Sequence, residues 1–418
     1  MTAQLVLLGG GLAHLHLLAR MRQHPLPGVK VILVTPQPQW IDAGMLAGFV
    51  AGQHALADCM TPLEPLVQQS GARWLATREV ELNAQANALL LAEGTVLNFD
   101  WLSVCQEPVQ ERDALERTLP GARKHGLFVR PLDAFAALWP RVPELAAANA
   151  LRVAVIGGAG GQSTRALADA GASGGLAIEL ALAIRHRLPG SAVTLVTGGA
   201  LLAHGCPPAL QKRLAQALRL RNVTVLADCA TSLDAGEIAL GSGARLACDL
   251  PVLATRSQAP AWQASSGLAV NGQGGVAVDA CGRSISHAHV FAAGPCCALP
   301  GSVNVNDNGS GSGNADANAN GNVNDNDNGT GNGNDTADPA FASARSTHAL
   351  AARFAANLAA AVAGQPMHQH PPTTDPLRLI SCGDGHAIAA WGGYSTQGRW
   401  VGWLKRQMDR VKPLANQA

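Results

Sequence analysis

The sequence predicts an α/β chain made of two copies of one β–Gly–α–β unit and a small α+β C-terminal segment. Three observations carry this. An apolar run, Gln4 to Leu8, leads directly into Gly9-Gly10-Gly11 and then into apolar residues at helical spacing. The arrangement recurs at 151–197, where LRVAVIGG precedes an amphipathic stretch, 174–188, and a second apolar run, SAVTLVTGG. Near the C-terminus LRLISC and AIAAW flank Gly383-Asp384-Gly385-His386, which reads as a hairpin within 377–392.

Composition narrows the classes. The 418 residues suggest two or three domains at ~150 residues each, and 47% apolar residues suffice for sizeable cores. Thirty basic residues against 29 acidic ones leave a net charge of +1, which excludes a strongly basic nucleic-acid binder and an acidic solvating chain. No uncharged apolar run reaches the ~18 residues of a membrane span, and the N-terminus has no basic region ahead of its apolar stretch. The nine cysteines are scattered and form no CxxC, so no zinc framework or thioredoxin-like site is expected, and no metal. Reduced thiols in a cytoplasmic protein fit best; Cys296-Cys297 is the adjacent pair that a strained vicinal disulfide would use.

The first unit ends its second apolar run, Val29 to Val34, at Thr35-Pro36. Glycines at 9 and 11 allow a close approach of backbone to a pyrophosphate, and the following helix offers free N–H groups and positive potential. This is the Rossmann-like dinucleotide-binding pattern. His14 stands where its third glycine is usual, and no acid ends the second strand to bind a ribose. A βα turn that binds nothing is the alternative. In the second unit, Gly157-Gly158 is separated from the helix by AGGQSTRALADAGAS, 159–173, a longer turn that need not present its amides to a phosphate. Thr197-Gly198-Gly199 carries neither an acid for a 2′-hydroxyl nor a clear Arg for a 2′-phosphate, so NADH and NADPH stay equally open.

Further along, ARLACDLPVLATRSQAPAW places an Asp before an apolar strand, and GVAVDACGRSISHAHVFAAG ends in another strand and a Gly. Together with LVLLGGGLAHLHLL, AGMLAGFVAG, FVRPLDAF, ISCGDGHAIAAWGG and RWVGWLKRQMDR, these resemble the NADH dehydrogenase-like flavoproteins of the pyridine nucleotide-disulfide oxidoreductase superfamily. Close relatives there are fused to selenide, water dikinase in some bacteria. The matches span nearly the whole chain. His14 and Thr35-Pro36 also look like that family.

The resemblance implies an FAD domain split in sequence by an NAD(P)H domain. The expected boundaries are 1–135 for the first FAD part, 136–257 for the NAD(P)H domain, 258–363 for the second FAD part, and 364–418 for a C-terminal hairpin and helix. It implies that Gly9, Gly11 and His14 hold the FAD pyrophosphate, that Thr35 and Pro36 lie by the adenosine, and that Gly44 and Met45 pass near the flavin. Gly294 would begin the turn onto the ribityl chain. Gly157, Gly158 and Gly175 would lie at the NAD(P)H phosphates, and Glu179 near the nicotinamide; a solvated helix charge is the plain alternative for Glu179. The implied activity passes a hydride from NAD(P)H to FAD and electrons on to a quinone or another small acceptor. The flavin does that chemistry, so no side-chain acid or base is needed for the hydride step. Cys59 has no partner at motif spacing, which disfavours dithiol chemistry.

The family's GD is Gly294-Pro295 here, its ATG is Ala254-Thr255-Arg256, and its second crossover reads Ser103-Val104-Cys105-Gln106-Glu107-Pro108. With the long turn, these departures keep a second reading in play, a non-catalytic nucleotide- or partner-binding protein on the same fold. Residues 302–338, dominated by Asn, Asp and Gly, read as a disordered surface insertion before a helix at 341–363. In the last helix Trp400, Val401, Trp403, Leu404, Met408 and Val411 are expected on or near one side, with Lys405, Arg406, Arg410 and Lys412 mostly opposite. Such a helix would touch a membrane surface, or else pack on the FAD domain or across a dimer.

Overall fold

The computed structural model describes residues 2–157, 174–199, 202–203, 206–255, 257–272, 274–298, 344–369 and 377–409. Gly158, the turn 159–173, Arg256 and the segment 302–338 lie outside the described residues.

Two five-stranded parallel sheets form the frame. The first runs Val290–Ala292, Trp101–Val104, Ala3–Leu8, Val29–Val34, Arg73–Leu75. The second runs Leu127–Phe128, Leu250–Leu253, Arg152–Ile156, Ala192–Val196, Val223–Leu226. Their strands are near-continuous apolar runs because helices or loops cover both faces. The two orders are the same, and each reverses direction beside its first strand, which is the topological switch point of a doubly wound sheet. The first sheet draws its strands from both sides of the second in sequence. The strand Leu127–Phe128 already pairs with Leu250–Leu253, so the chain enters the second sheet before residue 136.

The two units share a brace. The amide of Gln4 donates to Asp100 at 2.6 Å, and that of Arg152 donates to Asp249 at 2.8 Å. In each, an Asp just before the fourth strand ties down the start of the first. Each unit also carries an antiparallel three-stranded meander ahead of that Asp: Glu79–Asn83, Ala88–Leu91, Val96–Asn98, and Ala230–Asp234, Glu237–Leu240, Arg245–Ala247. The sequence reading anticipated neither meander.

Leu5, Leu7, Leu15 and Leu18 pack with Phe291, Phe354 and Leu358, joining helix Leu12–Met21 to helix Ala344–Val362 against the first sheet. A second core gathers Leu46 and Val50 from the first unit, Ile178 and Leu182 from the second, and Ile380 and Ile388 from the C-terminal hairpin. The three parts therefore meet on one apolar surface. The hairpin is present as Arg378–Ser381 against Ala387–Trp391, with Ile380 opposite Ile388, and gains a third strand, Tyr394–Gly398.

The last helix, Arg399–Asp409, turns differently from its sequence expectation. Val401, Gly402, Lys405 and Asp409 are buried, while Trp400 and Trp403 are each 58% exposed. Gly402 sets the face, since a Cβ there would collide with the Gly385 carbonyl. Lys405 lies on the inner side because its ammonium pairs with groups supplied by other parts of the chain.

Candidate cofactor crevices and the charged junction between them

At the first switch point the strand Ala3–Leu8 ends in Gly9, whose φ of +95° suits glycine. The Gly9 amide donates to the Val34 carbonyl at 2.8 Å, and the Gly11 amide to the Cys105 carbonyl at 3.0 Å. A Cβ on either glycine would run into the 105–106 segment: Cys105 O and Gln106 Cγ at Gly9, Cys105 Sγ and O at Gly11. Close packing of the neighbouring strand end thus requires both glycines.

His14 reaches this turn with its ring. It is fully buried, with Nδ1 2.6 Å from the Gly9 carbonyl and Nε2 2.8 Å from Ser103 Oγ. A carbonyl only accepts, so Nδ1 carries the proton and Nε2 accepts from the serine hydroxyl. Burial lowers its pKa to about 4, the Gly9 bond opposing, and the ring is neutral. Both nitrogens are engaged internally, and His14 shapes the turn by clamping it to the adjacent strand.

The rim of the crevice is open. Pro36, Gly44, Gly294 and Pro295 are exposed, whereas Thr35 and Met45 are buried. Thr35 Oγ1 donates to Gln37, and its carbonyl accepts from Trp74 Nε1 at 3.0 Å. Gly294, at φ +75°, turns the chain out of Val290–Ala292. No side chain caps the helix starting at Leu12, and its N-terminal, positive end follows directly on the glycine turn, where an anion is favoured. These residues fit FAD: a helix N-terminus at the switch point, glycines beneath it, and an exposed rim from Pro36 to Pro295. Pro295 brings no side-chain acceptor to that rim.

In the second unit, Gly157 ends Arg152–Ile156 and donates to Val196 at 2.9 Å. A Cβ on Gly157 would press on Ala177, 3.2 Å away, so this glycine sets the approach of strand to helix. Gly175 is buried in the first turn of helix Gly174–Arg187.

Glu179, on that helix, is no solvated charge. It is 6% exposed and accepts the Ser381 amide at 2.6 Å. Burial raises its pKa to about 7, against Lys405 and the Ser381 bond. Lys405 Nζ lies 2.9 Å from Asp409 and 3.2 Å from the Gly44 carbonyl. Burial works against its charge, yet Asp409, Glu179 and Asp42 outweigh this and hold its pKa above the usual lysine value. Asp42 accepts the Gly44 amide at 2.8 Å. Its pKa rises to about 6 through desolvation first, with Asp409 and Glu107 adding and Gly44 and Lys405 opposing. A charged junction, buried at Glu179, Lys405 and Asp409 and open at Gly44, thus links Gly44 and the half-buried Asp42 of the first unit, Glu179 of the second and Lys405 of the last helix. The resemblance named Gly44 for the flavin and Glu179 for the nicotinamide end, and sequence reading did not name Asp42, Lys405 or Asp409 as site residues. The i,i+4 spacing of Lys405 and Asp409 was the one local signal.

All nine cysteines are free thiols, Cys296 and Cys297 included. Among the described residues no cluster of three or more His, Cys, Asp or Glu could hold a metal, and no helix is long and apolar enough to cross a membrane.

Residues 3–313 match the family model described as pyridine nucleotide-disulphide oxidoreductase. No curated protein sequence matches the chain. Among solved structures, the sulfide:quinone oxidoreductase of Aquifex aeolicus superposes with a TM-score of 0.70 at 14% identity, covering 98% of this chain and 90% of its own. NDH2 of Plasmodium falciparum, solved with NADH, gives 0.67 at 12% identity and covers 99% and 98%. A ferredoxin reductase of Rhodopseudomonas palustris gives 0.64 at 19% identity and covers 93% and 82%. At these identities the superpositions establish the fold.

Proposed function

Because the chain belongs to the pyridine nucleotide-disulphide oxidoreductase family, and is an FAD- and NAD(P)H-using enzyme of that class, we propose that its electron acceptor is a quinone met at a membrane surface. FAD, when bound, supplies the redox chemistry between NAD(P)H and the acceptor. The first switch point would hold its diphosphate over Gly9 to Leu12, with the flavin end toward Gly44 and Gly294. Gly157 and Gly175 would lie beneath NAD(P)H, and Glu179 on the nicotinamide side.

One observation carries the choice of acceptor. Trp391, Tyr394, Trp400 and Trp403 are 67%, 85%, 58% and 58% exposed, all within the C-terminal hairpin and helix. Large aromatics with a polar edge are the residues that favour a membrane–water interface. Arg399, exposed beside them, adds attraction to anionic lipid. The other face of the same helix reaches Gly44 through Lys405, so the aromatic surface lies one helix thickness from the crevice rim.

The test has two parts. Purified protein should show flavin absorbance, bleach with NADH or NADPH without oxygen, and recover its colour with a short-chain quinone. It should also sediment with anionic lipid vesicles, and the double variant Trp400→Ser/Trp403→Ser should lose most of that binding while keeping its flavin. Colourless protein that cannot be reconstituted with FAD would sink the enzyme reading. Full activity with no vesicle binding would sink the membrane reading.

A further inference from the structure

In the second unit the strand Ala192–Val196 ends in Thr197-Gly198-Gly199, with no acid of its own. The fold brings one there from the next strand. Gly198 and Gly199, at φ +79° and +83°, turn both amides onto the Asp228 carbonyl, at 2.8 and 3.2 Å. Asp228 lies just past Val223–Leu226, the neighbouring strand of the same sheet. Its carboxylate therefore stands within one side chain's length of the strand end over which a doubly wound sheet seats the adenosine ribose of a dinucleotide. The residue is half-buried, and its carboxylate accepts the Ser242 hydroxyl at 2.6 Å and the Cys229 amide at 2.8 Å. These bonds hold its pKa below the ordinary carboxylate value, so it is charged near neutral pH. Among the described residues no Lys or Arg pairs with it. Neither 188–211 nor 222–244, the stretches that build these two strand ends, contains a Lys or Arg.

We propose that the second unit takes NADH in preference to NADPH, and that Asp228 is the residue that discriminates. The proposal rests on the NAD(P)H reading of that unit above. The two dinucleotides differ at one ribose position, a neutral 2′-hydroxyl in NADH against a 2′-phosphate of about −2 in NADPH. Space is not what separates them: Gly199 is exposed, and a Cβ built on it would meet nothing within 4 Å. Charge is. The phosphate would meet an unpaired carboxylate, and the amides of Gly198 and Gly199 are already engaged by the Asp228 carbonyl. A hydroxyl meets no such repulsion.

The experiment measures the affinity of the full chain for NADH and for NADPH by nicotinamide fluorescence. Samples are kept anaerobic with dithionite, so that bound flavin is already reduced and no hydride moves. The wild type should bind NADH about tenfold more tightly at low salt. Both dinucleotides carry the same pyrophosphate, so the ratio of the two affinities isolates the 2′ position. Raising salt from about 20 mM to about 0.5 M should shrink that ratio severalfold, because a solvent-facing repulsion is screened. Asp228→Asn keeps the shape and removes the charge; NADPH binding should tighten about tenfold with NADH little changed. Equal affinities, or tighter binding of NADPH, would overturn the proposal while the NAD(P)H reading stands. A preference for NADH that persists at high salt, or that Asp228→Asn leaves unchanged, overturns it as well, since the discrimination would then be steric or lie elsewhere. If neither dinucleotide binds, the NAD(P)H reading falls and takes the proposal with it. Should Asp228→Asn not fold, the salt series on the wild type decides alone.

Discussion

Glu179→Gln removes a titrating proton from the junction while keeping the shape of the side chain and an acceptor for the Ser381 amide. In the folded chain the carboxyl titrates at about 7, against an ordinary value of 4.5. The folded state therefore holds the proton more tightly than the unfolded state. Between pH 4.5 and 7 folding favours the protonated form, and stability falls as pH rises through that window. The gap corresponds to about 3 kcal/mol, fully present above pH 7 and absent below pH 4.5. Glutamine mimics the protonated acid, so the variant should match the wild type at pH 4 and exceed it by up to about 3 kcal/mol at pH 8. Urea unfolding of both proteins at pH 4, 6 and 8, followed by circular dichroism, reads this directly. Carboxyls outside the junction titrate identically in both proteins, so the difference reports residue 179 together with Lys405 and Asp409, to which it is coupled. A variant that is less stable at pH 8, or a difference that does not change with pH, would refute the placement of Glu179 in a desolvated junction.

Lys405→Met should cost about 3–5 kcal/mol, because it leaves Asp409 buried without its cation, and Asp409→Asn added to it should recover a large part; thermal unfolding of the two variants checks this. Gly11→Ala would push a methyl group into Cys105 Sγ and the Cys105 carbonyl, so we expect a loss of about 1–3 kcal/mol and reduced flavin content, read from the absorbance ratio of purified protein. Pro295→Asp should give the exposed rim a carboxylate and tighten FAD about tenfold to a hundredfold, measured by flavin-fluorescence quenching on stripped protein; unchanged binding would show that position 295 does not face the cofactor.

The two β–Gly–α–β units were legible because their signals are local and dense. Gln4 to Leu8 and Arg152 to Ile156 are strands in any context, and glycine after each leaves one kind of turn. The meanders at 79–98 and 230–247 were not, because their strands run three to five residues, alternate poorly and are bounded by ordinary turns. Tyr394–Gly398, YSTQG, carries no apolar alternation and forms because Ala387–Trp391 offers it an edge. The face of the last helix failed for a different reason. Hydropathy turns the tryptophans inward, but Lys405 is held on the inner side by Asp409 and the Gly44 carbonyl, with the charges of Glu179 and Asp42 adding to it, and of these only Asp409 lies within the helix's own eleven residues. The candidate site divides the same way. Its glycines were readable, and the polar groups that organise it were visible only once distant segments were brought together.

The cation at the junction also has an order in time. Asp42 is made early, Glu179 midway and Lys405 among the last described residues, so during synthesis the two acids exist long before their counter-ion. Until it arrives, each acid is cheapest protonated or facing water, and the apolar surface that the three parts share has no ionic lock. The described junction is therefore a feature of the finished chain alone. Every strand of both parallel sheets has been made by residue 292, while the relation of Gly44 to Glu179 is set by a residue translated after both sheets.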